Sequence, residues 1–322
     1  MTVRLNQERI VVLIAIALFA FFSVTQDRFL DPGNILSLIQ NVSILGILGV
    51  GMAITIIGRG IDLSMVSTMA LSGAWLLDML NRGAPAPVAT ALAIGFAVAV
   101  GLINGFLVAY AEIPAIFATL AMGVVIYGFG KTFFFPLDVA YLPPGDGWFY
   151  HIGSSEILSV PTPVIIFAGV CFLGYLFLRH LKVGRFIYGI GDNPLAARIT
   201  GIPVRPIIVL QYVISAAIAF AAGLVSATAV ASMNTRIALS TLVYDVILVV
   251  VLGGIGLSGG KGGIRNVIVG TLLMGVLVNG MTIMDLSYTT QNVVKSMILL
   301  VALVIDTLLN PRDEQTAQHG DI

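Results

Sequence analysis

The sequence predicts an all-α integral membrane protein with about ten transmembrane helices, and three observations lead there. Long apolar runs recur along nearly all of the 322 residues, with 58% hydrophobic and 10% charged side chains and a mean hydropathy of +1.03. A water-soluble domain has no core large enough to use that much apolar surface, so most of the chain must be solvated by lipid. The runs are too long and too evenly apolar for the alternating strands of a barrel, and a backbone in hydrocarbon has to bond within its own segment, which leaves helices. The basic residues, finally, divide unevenly between the two sets of connections.

Crossing ~30 Å of hydrocarbon at 1.5 Å per residue takes ~20 residues. The first run, 10–26, follows MTVRLNQERI and has the basic flank and apolar core of a signal peptide. FFSVTQDR offers no small-x-small cleavage site, so this run is expected to be retained as the first span. Further runs cover 35–57, 64–80, 86–110 and 114–135, and then 162–179, 206–231, 241–257, 266–284 and 291–309. The third, sixth and eighth are short, and eight spans with re-entrant pieces is the open alternative. The whole of 1–322 reads as one polytopic domain, with an external loop at 136–161 and the largest internal loop at 180–205.

With the N-terminus inside, the internal segments hold eleven basic residues: Arg4, Arg9, Arg59, Arg179, Lys182, Arg185, Arg198, Arg205, Lys261, Arg265 and Arg312. The external ones hold Arg28, Arg82 and Arg236, while Lys131 and Lys295 fall inside spans. That is the positive-inside pattern, with both termini cytoplasmic. The formal net charge is zero, so no global field recruits nucleic acid. The single cysteine, Cys171, excludes an intrachain disulfide and a Cys-based metal site.

Three enzyme-like strings fail on their context. Gly254–Gly259 satisfies G-x-G-x-x-G without a surrounding βαβ unit. Gly256-Leu257-Ser258-Gly259-Gly260 satisfies G-x-S-x-G, but His151, His180 and His319 all fall in loops or a tail and none can serve as base. Lys261 hints at a P-loop, yet Ile255 stands where its first Gly belongs and Gly262 where Ser or Thr must bind magnesium. The stretch is better read as a tight internal turn in which Gly259, Gly260, Gly262 or Gly263 supply positive φ. No catalysis, metal or cofactor is expected.

Ionisable groups at membrane depth are sparse: Asp78, Lys131, Asp245, Lys295 and Asp306 sit at or near span ends and are expected to snorkel or cap. No carboxylate is expected at the midplane, which argues against an ion-coupled carrier. Asn104-Gly105 and Asn279-Gly280 lie in similar Gly-rich contexts on spans running in opposite directions, as two inverted five-helix halves require.

GDNPLAARITGIPVRP, 191–206, is the polar exception. Asn193 as N-cap and Pro194 at the first helical position start a short internal helix, Leu195–Ile199 propagate it, and Gly201 and Pro203 stop it. Its small residues suit it to dock into a partner; an interfacial linker anchored by its arginines is the alternative.

Five segments together give the chain its resemblance: GIDLS at 60–64, GLINGFLVAYAEIPAIFATL at 101–120, YGIGDNPLAARITGI at 188–202, VVLGGIGLSGGKG at 250–262, and VNGMTIMDLS followed by VALVIDTLLN. They resemble the permease subunits of bacterial monosaccharide ABC importers of the ribose, xylose and galactose type, a family shared with branched-chain amino acid permeases. The resemblance implies a type II ABC importer-like fold in the inner membrane and import of a monosaccharide or small polyol. It also implies a second permease copy or homologue, a periplasmic sugar-binding protein and a separate ABC ATPase subunit that hydrolyses ATP. Asp192, Asn193, Pro194, Ala196, Ala197, Arg198 and Gly201 match the segment that couples to the ATPase. The expected translocation path runs past Gly51, Thr55, Asn104, Asp245 and Asn279. Nucleosides or branched-chain amino acids are alternative solutes, and a stand-alone secondary transporter is the alternative class. Where relatives read GGIDLS, Arg59 interrupts the glycines here.

Overall fold

In the computed structural model, residues 7–145 and 148–309 are described. Arg4 and Arg312 lie outside them, as do His319 and the side chains of Arg9 and Asp306. Each of the ten expected runs is occupied by a helix: α1 (Gln7–Thr25), α2 (Pro32–Ile57), α3 (Met65–Asn81), α4 (Ala86–Ala109), α5 (Ala115–Phe129), α6 (Thr162–His180), α9 (Val204–Ala229), α10 (Leu242–Leu252), α11 (Ile264–Ile283) and α12 (Tyr288–Leu309). Between α6 and α9 stand two short helices, α7 (Lys182–Asp192) and α8 (Pro194–Ile199). The segment 180–205 is therefore largely helical rather than a loop. Proline in the first turn opens α2, α4, α6 and α8, where its missing N–H costs no intrahelical bond.

Six of the described helices are long and apolar enough to cross a membrane: α2, α4, α5 with its π-helical extension to Phe134, α6, α9 and α11. The helix expected over 241–257 stops at Leu252, because Gly253 and Gly254 (φ 98°) turn the chain. Its 11 residues span ~16 Å, about half the hydrocarbon.

At the centre lies α2, buried almost continuously from Gly46 to Ile57 among α6, α9, α10 and α11. Helices α4 and α9 pack backbone to backbone. A Cβ on Gly101 would sit 2.6 Å from Val213 Cα, and one on Gly105 2.5 Å from Val209 Cα, so only glycine lets these backbones meet. Phe106 on α4, Phe117 and Val124 on α5, and Phe172 and Leu173 on α6 stay exposed. Such rows of uncovered apolar side chains require lipid, not water, as solvent.

The connections sort to opposite ends of the bundle. At one end, β1 (Val139–Tyr141) pairs antiparallel with β4 (Ser232–Asn234), and a small hairpin forms from β2 (Glu156–Ile157) and β3 (Val160–Pro161). These are the only departures from the all-α expectation among the described residues. Asp138 beside β1 accepts from Lys131 Nζ at 2.9 Å and pairs with Arg236 at 2.8 Å. The Lys131 hydrogen bond, reinforced by Arg236, holds its carboxyl below the usual range. The other end gathers 58–64, α7, α8 and the Gly-rich turn 253–263.

Candidate functional site

Asn193 caps α8 as its sequence suggests: its side chain accepts from Ala196 N at 3.0 Å, and Pro194 occupies the first turn. Gly201, φ 83°, ends the segment. The small residues divide, however. Ala196 is exposed, whereas Ala197 is buried (4%) in the same core as Val204 and Ile207. The outward ridge of α8 is Leu195 (67% exposed) and Ile199 (79%), one helical turn apart, with Ala196 and Arg198 exposed beside them. Asp192 and Asn193 are exposed as well.

The Gly-rich turn packs directly against this segment. Positive φ occurs at Gly259 (78°), Gly260 (72°) and Gly262 (98°), but Gly263 is extended at 174°. Gly260 N donates to Ile57 O at the end of α2 (2.8 Å). A Cβ on Gly260 would lie 2.8 Å from Asp192 N, and one on Gly191 would run into Ile57 O and Gly260 N. Arg59, itself at φ 65°, donates from Nε to Ser258 O (3.0 Å), and Tyr188 Oη to Gly262 O (2.8 Å). The end of α7, just ahead of α8, the end of α2 and the Gly-rich turn thus form one backbone-to-backbone joint, too tight for any Cβ at its two central glycines.

Beyond that joint the chain dips back into the bundle. Asp62 is 1% exposed, although its place between two apolar runs reads as a surface connection. Its carboxylate accepts from Ser64 N (3.1 Å), Ser64 Oγ (2.6 Å) and Ser215 Oγ of α9 (2.8 Å). Asn104 Nδ2 of α4 donates to Ser64 Oγ at 2.7 Å, and Thr119 of α5 accepts from Leu63 N at 3.0 Å. The carboxylate also sits at the N-terminus of α3, where the helix dipole favours negative charge. Loop 58–64 is therefore a buried polar hub joining α3, α4, α5 and α9. Asn104 Oδ1 and the Gln211 amide, buried nearby, have no hydrogen-bond partner among the described residues. This burial, created where loop 58–64 folds back at one end of the bundle, leaves no trace in hydropathy.

The other expected path residues lie apart. Gly51 is buried where α2 meets Ile218 and Met65, and buried Thr55 bonds back to Met52 O. Asn279 exchanges two hydrogen bonds with Asn34 (2.8 and 3.0 Å), joining α11 to α2. Asp245 meets Lys295 of α12 at 2.7 Å, with side-chain exposures of 16% and 8%. Neither of these last two snorkels; each neutralises the other. Asp78 pairs with Arg82 one turn on.

A helical bundle with lipid-facing apolar rows and two polar ends is a multi-pass membrane protein. The comparisons with known proteins give its kin: the chain belongs to the family described as branched-chain amino acid transport system / permease component, whose model matches residues 34–303. The ribose import permease protein RbsC of Escherichia coli K12 is 33% identical over 295 residues, covering 90% of this chain and 91% of the relative. The galactofuranose transporter permease protein YtfT of the same organism is 32% identical, covering 85% and 80%. The L-arabinose ABC transporter permease protein AraH of Azospirillum brasilense is 29% identical, covering 92% and 86%. No solved structure matches the chain.

Proposed function

We propose that this chain is the non-catalytic permease subunit of a binding-protein-dependent ABC importer, carrying a monosaccharide or related small polyol across the bacterial inner membrane. The observation that carries the reading is the one-third identity, over nine-tenths of both chains, to a ribose import permease protein. The domain is single; 136–161 faces the periplasm and the binding protein, and 180–205 faces the cytoplasm and the ATPase. Both termini are cytoplasmic on the eleven-to-three division of basic residues. The ten helices cross in two inverted halves, with α10 completing its crossing through the Gly-rich turn.

The exposed Leu195–Ile199 ridge of α8 is the docking surface for the ATPase, with Arg198 at its edge. When the ATPases close on ATP, α8 moves with them. The Gly191–Gly260–Ile57 joint has no compressible side chains and passes that displacement to α2 and to the hub around Asp62. Gly51, Thr55 and Asn104 line the route once the helices part, and Asp245 and Asn279 border it at the outer side. A second permease copy or homologue supplies the facing wall.

Purifying the chain from its native membrane tests the reading. An ABC ATPase and a periplasmic binding protein should accompany it, and that binding protein should be thermally stabilised by an aldopentose, aldohexose or polyol. Stabilisation by amino acids or nucleosides instead would overturn the choice of solute.

A further inference from the structure

We propose that the polar cavity between α6, α7 and the start of α11 binds the phosphate headgroup of an anionic phospholipid. The cavity has a volume of about 290 Å³ and is lined by Arg179 in the last turn of α6 and Arg265 in the first turn of α11. No Asp or Glu lines it. Neither arginine takes part in any ion pair found among the described residues. Arg179 lies over the Tyr175 ring, 5.7 Å from its centre, which orients a planar donor fork on the cavity wall. Of the other polar side chains there, Tyr188 Oη donates to Gly262 O and Asn266 Nδ2 to Gly253 O.

Two arginines without counter-charge in a polar recess are matched by an anion with several acceptor oxygens, and phosphate has that shape. A lipid is the source the surroundings favour. The cavity opens at the edge of a bundle solvated by lipid, beside the end of the molecule that carries most of the basic residues. Two turns along α6 on the same face as Arg179, exposed Phe172 (61%) gives an acyl chain an apolar wall. The site is independent of the solute, so it stands or falls separately from the sugar reading.

Native mass spectrometry of the purified full chain, titrated with phosphatidylglycerol, phosphatidylcholine or inorganic phosphate, tests it. Phosphatidylglycerol should bind more tightly than phosphatidylcholine, and each arginine removed should weaken it about fivefold. Arg179→Gln alone and Arg179→Gln/Arg265→Gln should show that progression, while Arg179→Lys/Arg265→Lys keeps most of the binding. Lys182→Gln/Arg185→Gln, outside the cavity, should change nothing. The melting temperature of each variant, taken alongside, separates lost binding from lost fold, and the single variant stands in if the double one does not fold. Equal affinity for the two lipids, retention of the preference in folded Arg179→Gln, or binding of inorganic phosphate without the lipid would each overturn the proposal.

Discussion

Replacing Asp62 with Ala removes the common acceptor of three donors in a closed part of the bundle, Ser64 N, Ser64 Oγ and Ser215 Oγ. A buried donor left unsatisfied costs about 1–3 kcal/mol, so three at the low end give about 3 kcal/mol. The hydroxyls recover part of that by turning to helix carbonyls. Ser215→Ala deletes one donor to the Asp62 carboxyl and should cost about 0.5–1.5 kcal/mol. Asp62→Asn keeps one oxygen but aims an NH₂ at an existing donor, and should fall between the two. Unfolding free energies from SDS titration in mixed micelles give the comparison. In a double-mutant cycle, Ser215→Ala should become nearly harmless once Asp62 is Ala, because its partner is gone. Asp62→Ala within about 0.5 kcal/mol of the unmodified chain, the range of ordinary surface changes, would refute the hub.

Gly260→Val forces a β-branched residue to φ 72° with its Cβ 2.8 Å from Asp192 N, and should destabilise by about 2 kcal/mol or more. Gly263→Val, on extended backbone with its nearest neighbour 3.5 Å away, should be nearly neutral; equal thermal unfolding of the two would show that the joint is not tight. Leu195→Glu/Ile199→Glu should leave the permease folded but unable to co-purify with its ATPase, whereas Ala197→Glu should lower the yield of the permease itself, since it places an unpaired charge in the core. Retention of the ATPase by the double variant would remove α8 as the docking surface. Asp138, held below its ordinary value by Lys131 and Arg236, contributes stability above the unfolded pKa of about 4 and loses it as pH falls through the lowered folded value. Melting temperatures of the unmodified chain and Asp138→Asn should therefore differ at neutral pH and converge in acid; parallel curves would contradict the pairing.

Local signals carried the long helices, the cap of α8 and the positive φ expected among the glycines of the 259–263 turn, because apolar length, Asn-Pro and Gly clusters act through the nearest few residues. Where long-range packing decides, the sequence was silent. Asp62 reads as a loop residue, and only the return of 58–64 against α4 and α9 buries it. Asp245 and Lys295 each look isolated at membrane depth; their pairing joins helices 50 residues apart. The six residues of α8 are too few to display a period, so nothing local distinguishes inward Ala197 from outward Leu195. The end of α10 was misjudged by hydropathy, which scores Ile255 and Leu257 as span while Gly253 and Gly254 turn the backbone.

Import driven by a separate ATPase is measured by uptake of a radiolabelled monosaccharide into proteoliposomes holding this chain, its ATPase and its binding protein. Accumulation is predicted to require all three proteins and ATP, and to vanish when the ATPase alone is omitted. Sugar entry at an undiminished rate through this chain without the ATPase would contradict the account and make the protein a self-sufficient carrier or channel.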